Sequence, residues 1–217
     1  MNLDCYGNFT SQHGEDAIIQ RIFETLSPSN KWCVEFGALD GVQWSNTWSL
    51  IKNRNWKSVQ IESLKKYFKL LELTYKNDFV TCLNKTVGLD KENLLDTILA
   101  ETSIPIDFDL LSIDIDGLDY QVFDSIKIYK PRVVVIECSP FYKHGELHIQ
   151  SIPKIKFEGS SLASVTSLAK KKGYQLIFVT GVNAFYVKDE LYSKFGILDN
   201  SISNFKIWST TRKFKWR

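Results

Sequence analysis

The 217-residue sequence predicts a single α/β domain built on a doubly wound, mostly parallel sheet. Two observations carry this. Short apolar runs alternate with segments of helical spacing along most of the chain, and two strand-like runs near its end are separated only by Gly181 and Val182. Alternating strands and helices imply parallel strands covered on both faces. The close pair implies a hairpin, which brings one antiparallel strand into the sheet.

The elements follow in order. Residues 11–26 place Ile18, Ile19, Ile22, Phe23 and Leu26 at helical spacing, with Glu15 and Asp16 in the first turn, where the helix dipole favours acids. Residues 32–41 (WCVEFGALDG) form a buried strand running into a glycine-bearing loop. Residues 45–53 open with Ser45 and Asn46, good caps, and predict a helix. A strand over 58–61 ends at Glu62, a helix spans about 65–76, a strand covers 79–83, and 91–101 presents Leu94, Leu95, Ile98 and Leu99 on one helical face. The most strand-like segments, 109–116 (DLLSIDID) and 132–138 (RVVVIEC), are separated by a helix near 120–126. Pro131 cannot donate to a ladder and marks the start of its strand. A helix over 161–172 stops at Gly173, and strands over 174–180 and 183–189 close the fold.

Composition narrows the function. Hydrophobic residues make up 44% and charged residues 24%, which excludes a disordered or fibrous chain. A domain of this size folds without a disulfide or structural metal. Cys5, Cys33, Cys82 and Cys138 form no CxxC pair, so no zinc site is expected. A net charge of +2 argues against a nucleic-acid partner. No apolar run approaches the ~20 residues of a membrane helix, the start Met1-Asn2-Leu3-Asp4 lacks the features of a secretory signal, and the expected location is the cytoplasm. The charge is uneven: residues 206–217 hold five basic side chains and no acid, a tail suited to an anionic glycan or membrane surface.

Ligands of doubly wound sheets bind at the carboxyl ends of the central strands, where the strand order reverses. The turn Gly37-Ala38-Leu39-Asp40-Gly41 follows the first strand and lets a ligand approach the backbone closely. Leu39 breaks the dinucleotide pattern GxGxxG. Glu62, at the end of the second strand, stands where an acid holds a ribose diol in such sites. In strand geometry Ser112, Asp114 and Asp116 share one face, and two neighbouring carboxylates call for a cation or a shared proton. Glu137 ends an apolar run and is a further candidate, as are His144 and His148 as bases, while His13 at the start of the first helix reads equally as a surface residue.

The motifs Ser11-Gln12-His13-Gly14-Glu15-Asp16, Val34–Gly41, Ser45-Asn46-Thr47, Gln60-Ile61-Glu62, Ser112–Gly117 and Asn183-Ala184-Phe185 resemble, in order and spacing, the FkbM-type S-adenosylmethionine (SAM) dependent methyltransferases. The resemblance implies a Rossmann-like class I sheet of seven strands with an antiparallel last strand, spanning residues 11 to about 190 of one domain. It also implies that Glu35, Gly37 and Ala38 line the methionine end of SAM, with Ser45 and Asn46 in the same pocket and Gln12 closing over the cofactor carboxylate. Glu62 takes the ribose hydroxyls, and Asp114 faces the amine or sulfonium. The reaction implied is O-methylation of a sugar, glycan or other small hydroxyl compound, with Asp116 or His144 as base and Asp114 beside them. Many relatives carry Asp-x-Glu-Gly where this chain has Asp114-Ile115-Asp116-Gly117. No metal is predicted, although Asp114, Asp116 and Glu137 carry oxygens that a divalent ion accepts. The rival readings are a nicotinamide-dependent oxidoreductase, which leaves the paired aspartates unexplained, and a non-catalytic cofactor- or partner-binding module.

Overall fold

A seven-stranded sheet in the order β3-β2-β1-β4-β5-β7-β6 organises the computed structural model, which describes residues 7–76, 78–115, 117–143, 145–152 and 159–205. The strands are β1 (Trp32–Phe36), β2 (Lys57–Ile61), β3 (Val80–Leu83), β4 (Leu110–Ile113), β5 (Val133–Glu137), β6 (Tyr174–Val179) and β7 (Asn183–Lys188). The helices are α1 (Glu15–Leu26), α2 (Trp48–Arg54), α3 (Lys65–Thr74), α4 (Leu95–Leu99), α5 (Asp119–Ser125), α6 (Leu162–Lys171) and α7 (Asp189–Tyr192). Strands β1 to β5 pair in parallel, while β7 runs antiparallel between β5 and β6. The doubly wound fold and its antiparallel closing strand are as the sequence predicts. Asp116, His144, Cys5 and the basic segment 206–217 lie outside the described residues.

Alternation along each strand divides the core into two layers. Val34, Phe36, Val59, Ile61, Leu111, Ile113, Val134, Ile136 and Tyr186 face α4, α5 and α6. Cys33, Leu110, Val133, Val135, Phe185 and Val187 face the apolar sides of α1, α2 and α3. With helices on both sides, β4 is buried at every residue, and so are the first four residues of β5. That is why these strands read as continuous apolar runs rather than alternating ones. On the face toward α1 and α2, polar residues replace apolar ones near the strand ends: Ser58 and Gln60 on β2, Glu35 on β1, and Ser112 on β4 are all buried.

Three elements differ from their predicted spans. The helix expected over 45–53 begins at Trp48, because Ser45, Asn46 and Thr47 instead bond the buried Glu35. Ser45 still caps it in part, its Oγ accepting the amides of Thr47 and Trp48. The strand expected over 109–116 ends at Ile113, so Asp114 stands in the loop beyond the sheet. The shared-face argument, which needed strand geometry through Asp116, therefore fails from that point onward. The helix over 91–101 shortens to Leu95–Leu99, since residues 90–93 make a turn in which Asp90 accepts the amides of Asn93 and Leu94. Among the described residues no helix is long and apolar enough to cross a membrane.

Candidate functional site

Strand order reverses between β1 and β4, and a cleft of about 530 Å³ opens there at the carboxyl ends of the strands. Its walls come from separate stretches of chain: Gln12, the β1 exit Glu35–Leu39, the loop 43–46, Glu62 and Ser63 after β2, Asp114 and Ile115 after β4, and Glu137 at the end of β5. Every cofactor contact assigned from sequence lines this one cleft: Gln12, Glu35, Gly37, Ala38, Ser45, Asn46, Glu62 and Asp114. Glu137, singled out as a carboxylate at a strand end, joins them. His148 does not: its ring stacks on Tyr142 at 4.3 Å between centroids. His13 does not line the cleft either, and its amide donates to Glu15 at 2.7 Å.

The floor is backbone. Gly37 has φ +72, and a Cβ there would meet the carbonyl oxygen of Asp114 at 2.3 Å, so the exits of β1 and β4 approach as closely as two chains can. Beside it the Glu62 carboxylate accepts the amides of Leu39 at 2.9 Å and Leu64 at 2.7 Å, which fixes the acid at the end of β2. Asp119, at the start of α5, accepts the amides of Ile115 and Gly117 and so shapes the loop after β4. Carboxylate oxygens of Asp114, Asp119 and Glu137 lie within 4.8 Å of one another.

The second wall depends on a buried carboxyl group. Glu35 accepts hydrogen bonds from Ser45 Oγ at 2.7 Å, the Asn46 amide at 2.7 Å and Thr47 Oγ1 at 2.6 Å, and Asn46 Nδ2 donates in turn to Ser112 Oγ at 3.0 Å. Thr47 Oγ1 also accepts from Gln60 Nε2 at 2.9 Å. Glu35 thus positions the loop as well as lining the cleft. A third anchor closes the amino-terminal side: Asp16 accepts the amides of Phe9 and Thr10 at 2.8 Å and of Ser11 at 3.3 Å. Glu15 ties the same helix start to the β6–β7 turn through Thr180 and Asn183. Glu15 and Trp44 were not legible as site components, because their partners, Thr180 and Asn183 for the one and Ser11 for the other, lie far away in sequence. The local clue was the acid pair Glu15-Asp16 inside a polar motif.

Burial raises the Glu35 carboxyl above the usual 4.5, and the hydrogen bonds from Ser45, Thr47 and Asn46 offset this only in part. The folded state therefore holds this proton to higher pH than the unfolded chain. Glu35 contributes stability that is full below about pH 4.5 and lost as pH rises through its folded value. Glu35→Gln keeps the shape and removes the titration. As pH rises from about 4.5 through the raised folded value, the urea midpoint of the wild type should therefore fall further than that of the variant. Equal falls would show that Glu35 titrates as it does in the unfolded chain.

Comparison with known proteins now gives the class. The chain is similar in fold to SAM-bound CalS10, an amino pentose methyltransferase from Micromonospora echinaspora, at TM-score 0.52 and 10% identity over 85% of this chain and 98% of that one. It is also similar to an O-methyltransferase from Bacillus cereus in complex with SAH (TM-score 0.50, 16% identity, 84% of each chain). A putative SAM-dependent methyltransferase from Listeria monocytogenes matches at TM-score 0.50 and 12% identity over 81% of this chain and 98% of that one. No curated protein matches the chain. At such identities the likeness establishes the fold and nothing finer. The sequence itself goes further, for residues 84–176 match the family model of the Methyltransferase FkbM domain. Fold and match together define a SAM-dependent methyltransferase. Within that class, residues 84–176 resemble the FkbM-type methyltransferases, as the motifs imply.

Proposed function

We propose that the protein is an O-methyltransferase that transfers the methyl group of SAM to a hydroxyl of a sugar, a glycan or another small hydroxyl compound. The observation carrying this reading is the convergence of the β1, β2 and β4 exits, with their glycine and acids, on one cleft. Its volume of about 530 Å³ suits a ligand of SAM's size, since small-molecule sites span roughly 300–1,000 Å³. Gly37 leaves the floor free of a side chain, which fits a ligand laid against backbone.

Bound SAM supplies a methyl group made electrophilic by its sulfonium. Glu62, already aligned by two amides, holds the ribose hydroxyls. Gly37 and Ala38 admit the methionine end, with Ser45 and Asn46 beside it on the wall that Glu35 positions, and Gln12 closes over the carboxylate. Asp114 faces the cationic part. An alcohol is a weak nucleophile near neutral pH, so a positioned base adds about 10²–10⁴ in rate. Asp116 and His144 are the residues assigned to take the proton. Alignment of the acceptor oxygen with the methyl contributes up to about 7–11 kcal/mol in favourable cases.

The test is transfer of labelled methyl from SAM to a panel of sugars, glycolipids and small phenols, with calorimetry against SAM and NAD. Heat with SAM, none with NAD, and label on a sugar hydroxyl are expected. Asp116→Asn or His144→Ala should then lower kcat by about 10²–10⁴ with SAM affinity kept. Binding of NAD in place of SAM would favour the oxidoreductase reading, and intact turnover in both variants would remove the base assignment.

A further inference from the structure

We propose that Trp44 is the acceptor platform of this cleft: its indole face receives the sugar ring whose hydroxyl is methylated, and it thereby sets acceptor specificity. The inference rests on the glycan-acceptor reading above and goes beyond it by naming the surface that selects the ring. Trp44 lines the cleft beside Gln43, Ser45 and Asn46, yet it remains 53% exposed. Its side chain therefore stands at the mouth of the cleft rather than in the core, whereas the neighbouring Ser45 and Asn46 are buried. An aromatic face open to water at the mouth of a polar cleft is what the C–H face of a pyranose packs against, while amide and hydroxyl groups around it meet the ring's hydroxyl edge.

The backbone supports a functional reading. Trp44 has φ 60, the left-handed region, which disfavours L side chains and bulky ones most. Glycine would adopt this conformation without strain. The chain holds a tryptophan there through anchors on both sides. Ser11 pairs with Trp44 in an isolated parallel bridge, and Thr10 Oγ1 donates to the Ser45 carbonyl at 2.8 Å. Behind Ser11 stands the Asp16 carboxylate, and behind Ser45 stands Glu35. Strain over-determined by its surroundings at a cleft is characteristic of functional positions. Here it aims a rigid ring before the acceptor arrives, which lowers the ordering cost of binding.

The experiment compares wild type, Trp44→Phe, Trp44→Ala and Trp44→Gly. Methyl pyranosides of glucose, galactose, mannose and rhamnose serve as acceptors, 2-propanol as the ringless alcohol, and SAM and S-adenosylhomocysteine binding is read by calorimetry. For any pyranoside the wild type methylates, Trp44→Ala and Trp44→Gly should raise KM about tenfold or more, with kcat changed less than twofold and SAM affinity kept. Trp44→Phe should restore most of the loss. The KM for 2-propanol should not move. Trp44→Gly relieves the backbone, so its unfolding midpoint should equal or exceed that of the wild type, which keeps the test valid if Trp44→Ala folds poorly. If pyranosides are methylated with unchanged KM in the variants, the platform is overturned and the glycan reading stands. Weaker binding of SAM than of S-adenosylhomocysteine in the variants would place the ring on the sulfonium and also overturn it. If the wild type methylates no pyranoside, the glycan reading and the platform fall together.

Discussion

Gly37→Ala is expected to remove SAM binding and to lower the unfolding midpoint by about 6–12 °C. The new Cβ would sit 2.3 Å from the Asp114 carbonyl oxygen, and that obstacle is backbone, which cannot rotate aside as a side chain would. Two penalties add. A non-glycine residue in the left-handed region costs about 1–2 kcal/mol, and forcing apart packed segments costs about 1–3 kcal/mol. A sum near 3 kcal/mol, at roughly 2–4 °C per kcal/mol for a chain of this size, gives the stated range. The loss of binding has a separate cause: relief comes only by moving the exits of β1 and β4 apart, and those exits are the floor of the cleft assigned to the cofactor. Gly88→Ala is the control, since its Cβ meets only Asn93 Cβ at 3.5 Å, an ordinary contact. Thermal denaturation and calorimetry with SAM on both variants decide it. Full SAM affinity in Gly37→Ala would show that the cofactor does not lie on this floor.

How far the site could be read from sequence follows from the range of the interactions that build it. Gly37, Glu62 and Asp114 were visible because each follows an apolar run directly, so chain order alone puts them at strand exits. Trp44 was invisible as a site residue: it pairs with Ser11, its neighbour Ser45 donates to Glu35, and neither contact has a local signature. For the same reason residues 45–47 read as the start of a helix. Caps and acceptors of a distant carboxylate use the same residue types, and only the fold distinguishes them. The strand at 109–116 was read too long because alternation of Ile and Asp continues past the last ladder pair, Ile113 with Ile136. The helices were legible where the apolar face is long, as in α1 and α6, and overread at α4, where only the residues Leu95–Leu99 wind.

Asp109 is the strongest example of a residue whose role the sequence hides, and it yields the other large expected effect. It stands just before β4, at the end of the sheet opposite the cleft, and is fully buried. Its carboxylate accepts the amides of Ser29 at 2.9 Å, Asn30 at 2.9 Å and Lys31 at 2.7 Å, so one side chain fixes the turn that leads from α1 into β1. It also takes Arg132 at 2.6 Å, just before β5. In the sequence these partners lie 80 residues upstream and 23 downstream. Asp109→Asn keeps the size but turns an amide group toward donors, and it leaves Arg132, whose side chain is only 14% exposed, without its anion. Removing one partner of a buried pair costs about 3–5 kcal/mol, because the remaining charge stays desolvated. At roughly 2–4 °C per kcal/mol the unfolding midpoint should drop by about 6–20 °C. Arg132→Met alone should cost less, since Asp109 retains its amide donors, and adding it to Asp109→Asn should cost less than the two singles summed. Because the pair is remote from the strand exits, the folded fraction of Asp109→Asn should bind SAM as the wild type does. A midpoint shifted by only a degree or two would mean that water or local rearrangement answers the exposed amides. A loss of SAM affinity in folded protein would mean that the turn before β1 transmits its position along the strand to Gly37.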